Sequence, residues 1–136
     1  MIKAIICDIL GVLVDTIEDG EVNKKLVNFL IENKEIYGKL IFYSNSGNIS
    51  KERFKKLIPE LFDIIDKGYF ASNFEFLKPS KKGLQHILNE SNLKAQEVVF
   101  IDDNHSNIQE AEKLGMETIL YYNFEDISTL KSLLYP

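Results

Sequence analysis

The stretch Ile2-Lys3-Ala4-Ile5-Ile6-Cys7-Asp8-Ile9-Leu10-Gly11-Val12-Leu13-Val14-Asp15 decides how this chain is read. Ile2 to Cys7 is short, apolar and rich in β-branched residues, the pattern of a strand buried on both faces. It ends on a carboxylate, and Gly11 then breaks the chain into a loop running to Thr16. A second stretch repeats the theme, with Val98 to Ile101 apolar and Asp102-Asp103-Asn104 closing it abruptly. In open parallel sheets, ligands bind beyond the carboxyl ends of the strands, where strand order reverses. Carboxylates at two such ends are therefore the first residues to examine.

Working outward, strands and helices alternate. Glu21 to Asn33 carries Val22, Leu26, Phe29 and Leu30 at helical spacing. Leu40 to Tyr43 is a buried strand closed by the turn and capping cluster Ser44-Asn45-Ser46-Gly47. Ile49 to Phe62 reads as helix interrupted near Pro59, and Tyr69 to Ala71 as a weak third strand. Lys81 to Asn89 is a helix with Leu84 and Ile87-Leu88 inward. Asn107 to Leu114 is a helix stopped by Gly115, Thr118 to Tyr121 a fifth strand, and Ile127 to Leu134 a last helix. This alternation predicts an α/β fold, a parallel sheet covered on both faces. With 136 residues and no repeat or linker, one domain over residues 1–136 is expected.

Composition narrows the function. The apolar fraction of 45% and charged fraction of 27% are those of an ordinary water-soluble chain. No apolar run approaches transmembrane length, and the start lacks a signal-peptide pattern, so a cytoplasmic location and no membrane partner are expected. Cys7 has no second cysteine to pair with and reads as a small buried thiol. A net charge of −5 argues against a nucleic-acid surface. The cations are fifteen lysines and one arginine, Arg53. Any anion site must therefore rely on lysine, hydroxyl and backbone N–H donors rather than a guanidinium fork.

The polar clusters have an order: strand–Asp8-x-x-Gly-Val-Leu-x-Asp15, strand–Ser44-Asn45, Lys78-Pro79, then strand–Asp102-Asp103-Asn104-x-x-Asn107. Each alone is a common cap or turn. Together they resemble the four-motif signature of the haloacid dehalogenase-like superfamily, over the whole chain; the run Ile108 to Gly115 is also family-like. The resemblance implies a Rossmann-like three-layer domain with a five-stranded parallel sheet in the order 5-4-1-2-3. It implies catalytic Asp8, Ser44 and Lys78, phosphate contacts from Ser44, Asn45 and Lys78, and Mg2+ held by Asp8, the Leu10 backbone carbonyl, Asp102 and Asp103. The chemistry is coherent. An aspartate can attack phosphorus to give an aspartyl phosphate, and clustered carboxylates suit a hard, oxygen-seeking cation.

Two departures shape the expectation. The superfamily's phosphatases carry a second aspartate two residues after the nucleophile, which protonates the leaving oxygen and activates water; here that residue is Leu10. Losing a general acid typically costs about 10²–10⁴ in rate, most for alkyl phosphates and least for acyl or aryl ones. Next, 35 residues separate Asp8 from Ser44 and 33 separate Ser44 from Lys78, filled by core elements. No cap domain fits, which predicts an open site with Asp8 exposed at its rim and a phosphorylated substrate, macromolecular ones included, unless a second copy covers it in a homo-oligomer. The expected function is a magnesium-dependent phosphohydrolase with weakened or unusual turnover. A non-catalytic phosphate- and metal-binding module is the alternative. A dehalogenase ranks third, because such enzymes use a helical cap and an arginine for the halide.

Other tempting residues have ordinary readings. His86 is mid-helix and reads as surface, whereas His105 follows the aspartates closely enough to touch a substrate. Asn104 and Asn107 read as caps of the next helix that also pin the loop, Asp15 as a loop organiser. Phe62, Phe70, Phe74 and Phe76 read as core.

Overall fold

A computed structural model describes residues 1–15, 20–121 and 127–136. Five parallel strands build the sheet: β1 (Ala4–Cys7), β2 (Lys39–Tyr43), β3 (Lys67–Tyr69), β4 (Val98–Asp102) and β5 (Glu117–Leu120). Their order is β3-β2-β1-β4-β5, the expected 5-4-1-2-3 seen from the other edge. β1 pairs with both β2 and β4, so chain order reverses on either side of it.

Alternation along the strands sorts the core into two layers. Ile5, Cys7, Leu40, Phe42, Val99 and Ile101 face one layer of helices. That layer contains α1 (Lys24–Glu32), α4 (Pro59–Ile64) and α7 (Ser128–Leu134), which bury Leu26, Phe29, Leu30, Leu61 and Leu130 there. It also receives Tyr37 from the short α2 (Lys34–Tyr37) and Phe54 from α3 (Asn48–Leu57). Ala4, Ile6, Ile41, Tyr43, Val98 and Phe100 face the other, where α5 (Lys81–Glu90) and α6 (His105–Leu114) bring Leu84, Ile87, Ile108 and Ala111. This is a Rossmann-like three-layer arrangement, and every central strand is sealed on both faces.

Several boundaries moved for local reasons. The first helix begins at Lys24 rather than Glu21, because Asn23 caps it by accepting from the Leu26 N–H (3.3 Å). Tyr69 ends β3 instead of starting it: the Phe70 N–H turns to the Asn73 side chain (2.8 Å) and leaves the ladder. Pro59 opens α4 as its first residue, where a missing N–H is harmless. Gly115 ends α6 in the left-handed conformation, φ 96°. The loop reading from Asp8 onward stands to Asp15, while Thr16 lies outside the described residues. Among the described residues, nothing between β1 and β2 or between β2 and Lys78 forms an added domain. No helix among them is long and apolar enough to cross a membrane.

Candidate active site

Asp8 follows β1 directly and its N–H still donates to the Ile101 carbonyl (2.9 Å), so β1 and β4 end side by side. That register brings Asp8 close to Asp102, the last residue of β4, which is fully buried. Between them stands Lys78, its Nζ 3.1 Å from Asp8 Oδ1 and 2.6 Å from Asp102 Oδ2. One oxygen from each of Asp8, Asp102 and Asp103 lies within 4.8 Å of the others.

Each charged group is held by neighbours that sequence alone underrates. Asp102 Oδ1 accepts from the Asn104 N–H (2.9 Å), and Asn107 Nδ2 reaches both Asp102 oxygens at 3.2 Å. Asn107 was read as a helix cap. Asn104 alone supplies that cap, accepting from the Ser106 and Asn107 N–H groups. Lys78 is positioned by a reciprocal pairing with Asn45: Asn45 Nδ2 donates to the Lys78 carbonyl (2.9 Å), and the Lys78 N–H donates to Asn45 Oδ1 (2.7 Å). The Asn45 carboxamide, expected to face phosphate, gives its oxygen and one Nδ2 hydrogen to the lysine's main chain. Tyr43 was not singled out in advance. Its ring lies 5.5 Å from the Lys78 ammonium, and its hydroxyl donates to the Phe76 carbonyl (2.5 Å). Gly83 makes room for it, since a Cβ there would stand 2.3 Å from the Tyr43 oxygen. The signal was present in part: Tyr43 precedes Ser44 at the end of an apolar strand.

Ser44 is buried, with its Oγ accepting from the Ser46 N–H (3.2 Å). Asp103 leans on the loop after β1, and a Cβ on Gly11, whose φ is +88°, would fall 2.0 Å from Asp103 Oδ2. Glycine is needed there for both reasons. Leu10 sits on this loop 40% exposed. Asp8 itself corrects the expectation of an exposed rim position. It is only 8% exposed, covered by Lys78 and accepting from the Ile9 N–H (2.8 Å). His86 is half-exposed on α5, pairing with Glu90 at 3.3 Å, and His105 is exposed at the start of α6. Phe70 is core, while Phe62, Phe74 and Phe76 are partly buried.

The electrostatics follow from burial. Loss of water pushes the Asp8 carboxyl up to about 7, with Asp102 adding to the rise and Lys78 opposing it. Burial works against the Lys78 charge, but Asp8 and Asp102 outweigh it and hold the ammonium above the usual lysine value. Burial, then Asp102, raises Asp103 as well. Three carboxylates thus share one ammonium, a donor set short of positive charge. Asn107 Oδ1 is the one buried side-chain polar atom, among the described residues, with no hydrogen-bond partner. An unpartnered acceptor on a side chain bonded to Asp102 fits a hydrated hard cation, whose bound water would donate to it.

With that geometry in view, comparison with known proteins is informative. Residues 26–121 match the family model described as haloacid dehalogenase-like hydrolase, and the chain belongs to that family. A predicted HAD-like family hydrolase from Porphyromonas gingivalis superposes with TM-score 0.84 at 19% identity, covering 100% of this chain and 99% of that one. A family enzyme from Bacteroides thetaiotaomicron, solved with magnesium and inorganic phosphate, gives TM-score 0.83 at 17% identity over 96% and 99%. At these identities the likeness is one of fold. The chain is also 30% identical over 92 residues to the drimenol cyclase of Aspergillus calidoustus, across 66% of its own length but only 17% of that protein's.

Proposed function

We propose that this hydrolase is a magnesium-dependent phosphohydrolase working through an aspartyl phosphate on Asp8, with turnover slowed by Leu10. The observation that carries the reading is Lys78, held by Asn45 and Tyr43 so that its ammonium meets Asp8 at 3.1 Å and Asp102 at 2.6 Å. A lysine beside a nucleophilic carboxylate opposes its protonation and can follow the negative charge onto phosphoryl oxygens. Asp8, Asp102, Asp103 and the Leu10 carbonyl would hold Mg2+, which supplies charge neutralisation for the phosphoryl group when bound. The family enzyme solved with magnesium and phosphate supports that choice of cation.

Asp8 attacks phosphorus in line as the bond to the leaving oxygen breaks, and water later cleaves the aspartyl phosphate to release inorganic phosphate. The Ser44 hydroxyl and the Leu10 N–H take remaining phosphoryl oxygens, since the N–H groups of Ile9, Gly11, Val12, Leu13 and Val14 are already bonded within the loop. Leu10 can neither protonate the leaving oxygen nor activate water. The substrate is a phosphorylated molecule, with nothing in the described residues to bar a large one. Leu10 also favours a second reading, a non-catalytic module that binds phosphate and metal for sensing or scaffolding.

A hydrolysis screen separates the two. Acyl, aryl and alkyl phosphates are offered with and without magnesium to the wild type and Asp8→Asn. Magnesium-dependent release of phosphate from the acyl and aryl members, lost in Asp8→Asn, is expected. Binding of phosphate without any turnover would install the non-catalytic reading instead.

A further inference from the structure

Single exposed apolar residues are ordinary, and their distribution is what carries information. Among the described residues, the exposed large ones are Met1, Leu10, Ile36, Ile49, Leu77 and Tyr135. Met1 and Tyr135 lie beside the two ends of the chain, and Ile36 sits in α2, ahead of β2 and so at the opposite edge of the sheet. The other three lie on or beside three of the four segments that carry the site. Leu10 is two residues past Asp8, Leu77 directly precedes Lys78, and Ile49 is the second residue of α3, four positions after Asn45. Their exposures are 40%, 53% and 91%.

Chain geometry keeps them near the chemistry. At about 3.8 Å per residue, the Leu10 Cα is within about 8 Å of that of Asp8, and Leu77 within about 4 Å of Lys78. The Asn45–Lys78 pairing stitches the loop leading to Ile49 onto the one bearing Leu77. A second fact bears on the same substrate. Where a proton donor would serve the leaving oxygen, the chain presents Leu10. An alkoxide is too basic to depart without a proton, whereas a phenolate or carboxylate is not.

We infer that Leu10, Ile49 and Leu77 form an apolar rim for the leaving group, and that the substrate is a phosphate carrying an apolar aryl or acyl group. This rests on the phosphohydrolase reading and narrows it. The step balances without an acid: an Asp8 oxygen bonds to phosphorus, and the phosphorus–oxygen bond to the leaving group breaks. The leaving oxygen keeps the electron pair and departs as phenolate or carboxylate, and water then returns Asp8 and inorganic phosphate.

The test uses the full chain with magnesium and matched pairs: acetyl with octanoyl phosphate, and phenyl with 2-naphthyl phosphate, with octyl phosphate as the alkyl control. If the added apolar surface is partly buried at the rim, kcat/KM should favour octanoyl over acetyl by about tenfold, and naphthyl over phenyl by about threefold. Octyl phosphate should stay slow despite its chain. In the Ile49→Ser/Leu77→Ser double variant, both ratios should fall toward one. Ratios near one in the wild type, with all acyl and aryl members turned over, would overturn the rim and leave the hydrolase intact. Ratios that survive in the double variant would overturn it too. If no phosphate is hydrolysed, calorimetry with octylphosphonate and methylphosphonate takes over. A preference for octylphosphonate that vanishes in the double variant keeps the rim while the hydrolase falls, and equal affinities sink both. A double variant that changes only self-association in sedimentation would give this face to a second copy and overturn the inference.

Discussion

The loops after β1 and β4 meet at the same point and are built in opposite ways. The β4 loop is overdetermined: Asp102 is fully buried, and both its oxygens are taken by Lys78, Asn107 and the Asn104 N–H. The β1 loop turns on Gly11, leaves Leu10 exposed, and contacts the β4 loop where Asp103 leans on the Gly11 backbone. One loop fixes charge in place. On the proposed mechanism the other is where a proton would have to move, and Leu10 cannot move it. Binding and turnover should then be separable, each changed without the other.

Breaking the charge-fixing half should have the largest effect. Lys78→Met leaves Asp8 and Asp102 buried with no ammonium between them, which should remove about 3–5 kcal/mol from the unfolding free energy in urea. Magnesium should restore part of that loss, and a variant as stable as the wild type would mean the two carboxylates do not depend on the lysine. Supplying the missing acid sharpens the other half. Leu10→Asp, with saturating magnesium to limit repulsion, should speed alkyl phosphate hydrolysis by about 10²-fold and acyl phosphate cleavage much less. A folded, magnesium-binding Leu10→Asp that hydrolyses nothing new would show that the acid was not the only defect.

Magnesium itself should raise the thermal midpoint, equivalent to about 2.7 kcal/mol at a hundredfold excess over its dissociation constant. Asp102→Ala should abolish that rise. The smallest effect is its pH dependence. Burial raises the folded Asp8 carboxyl from 3.8 to about 7. Between those values the folded, metal-free chain holds a proton that the unfolded chain has released, so this group's contribution to stability falls as pH climbs, by up to about 1.4 kcal/mol per unit. A cation must displace the same proton. The magnesium-induced shift should therefore be larger at pH 8 than at pH 6, and calorimetric proton release should be seen only at the lower pH. A shift that shrinks toward pH 8 would remove Asp8 from the metal site.

The sheet was legible because its signals are local and redundant. Apolar runs such as Ile5-Ile6-Cys7 and Val99-Phe100-Ile101 end on polar residues at the strand tips, whereas the neighbours of each strand were implied by the family resemblance and are observed in the pairing of β1 with β4. The gathering of Asp8, Lys78 and Asp102 was legible only through the family resemblance that the order of the four polar motifs carries. What escaped were contacts between segments far apart in sequence. Asn45 pairs with the main chain of Lys78, 33 positions on, and nothing in Ser44-Asn45 distinguishes that from facing an anion. The burial of Asp8 is not legible in the sequence, where the absence of a cap predicts an exposed nucleophile. A side chain from the crossover, Lys78, covers it instead. The end of β3 was misplaced because Asn73 takes the Phe70 N–H out of the ladder.

Tyr43 gives the molecule a use of its own. The chain contains no tryptophan, so its near-ultraviolet spectrum belongs to six tyrosines and nine phenylalanines. One of those phenols is pinned by the Phe76 carbonyl, with its ring 5.5 Å from the Lys78 charge. Burial first, and then Asp102, pushes its ionisation up to about 12, so it stays neutral through the range in which the site works. An anion that draws the ammonium away changes the electric field across that ring without changing its protonation. The absorption band of Tyr43 is then a built-in voltmeter for the pocket, readable in a difference spectrum with no label attached.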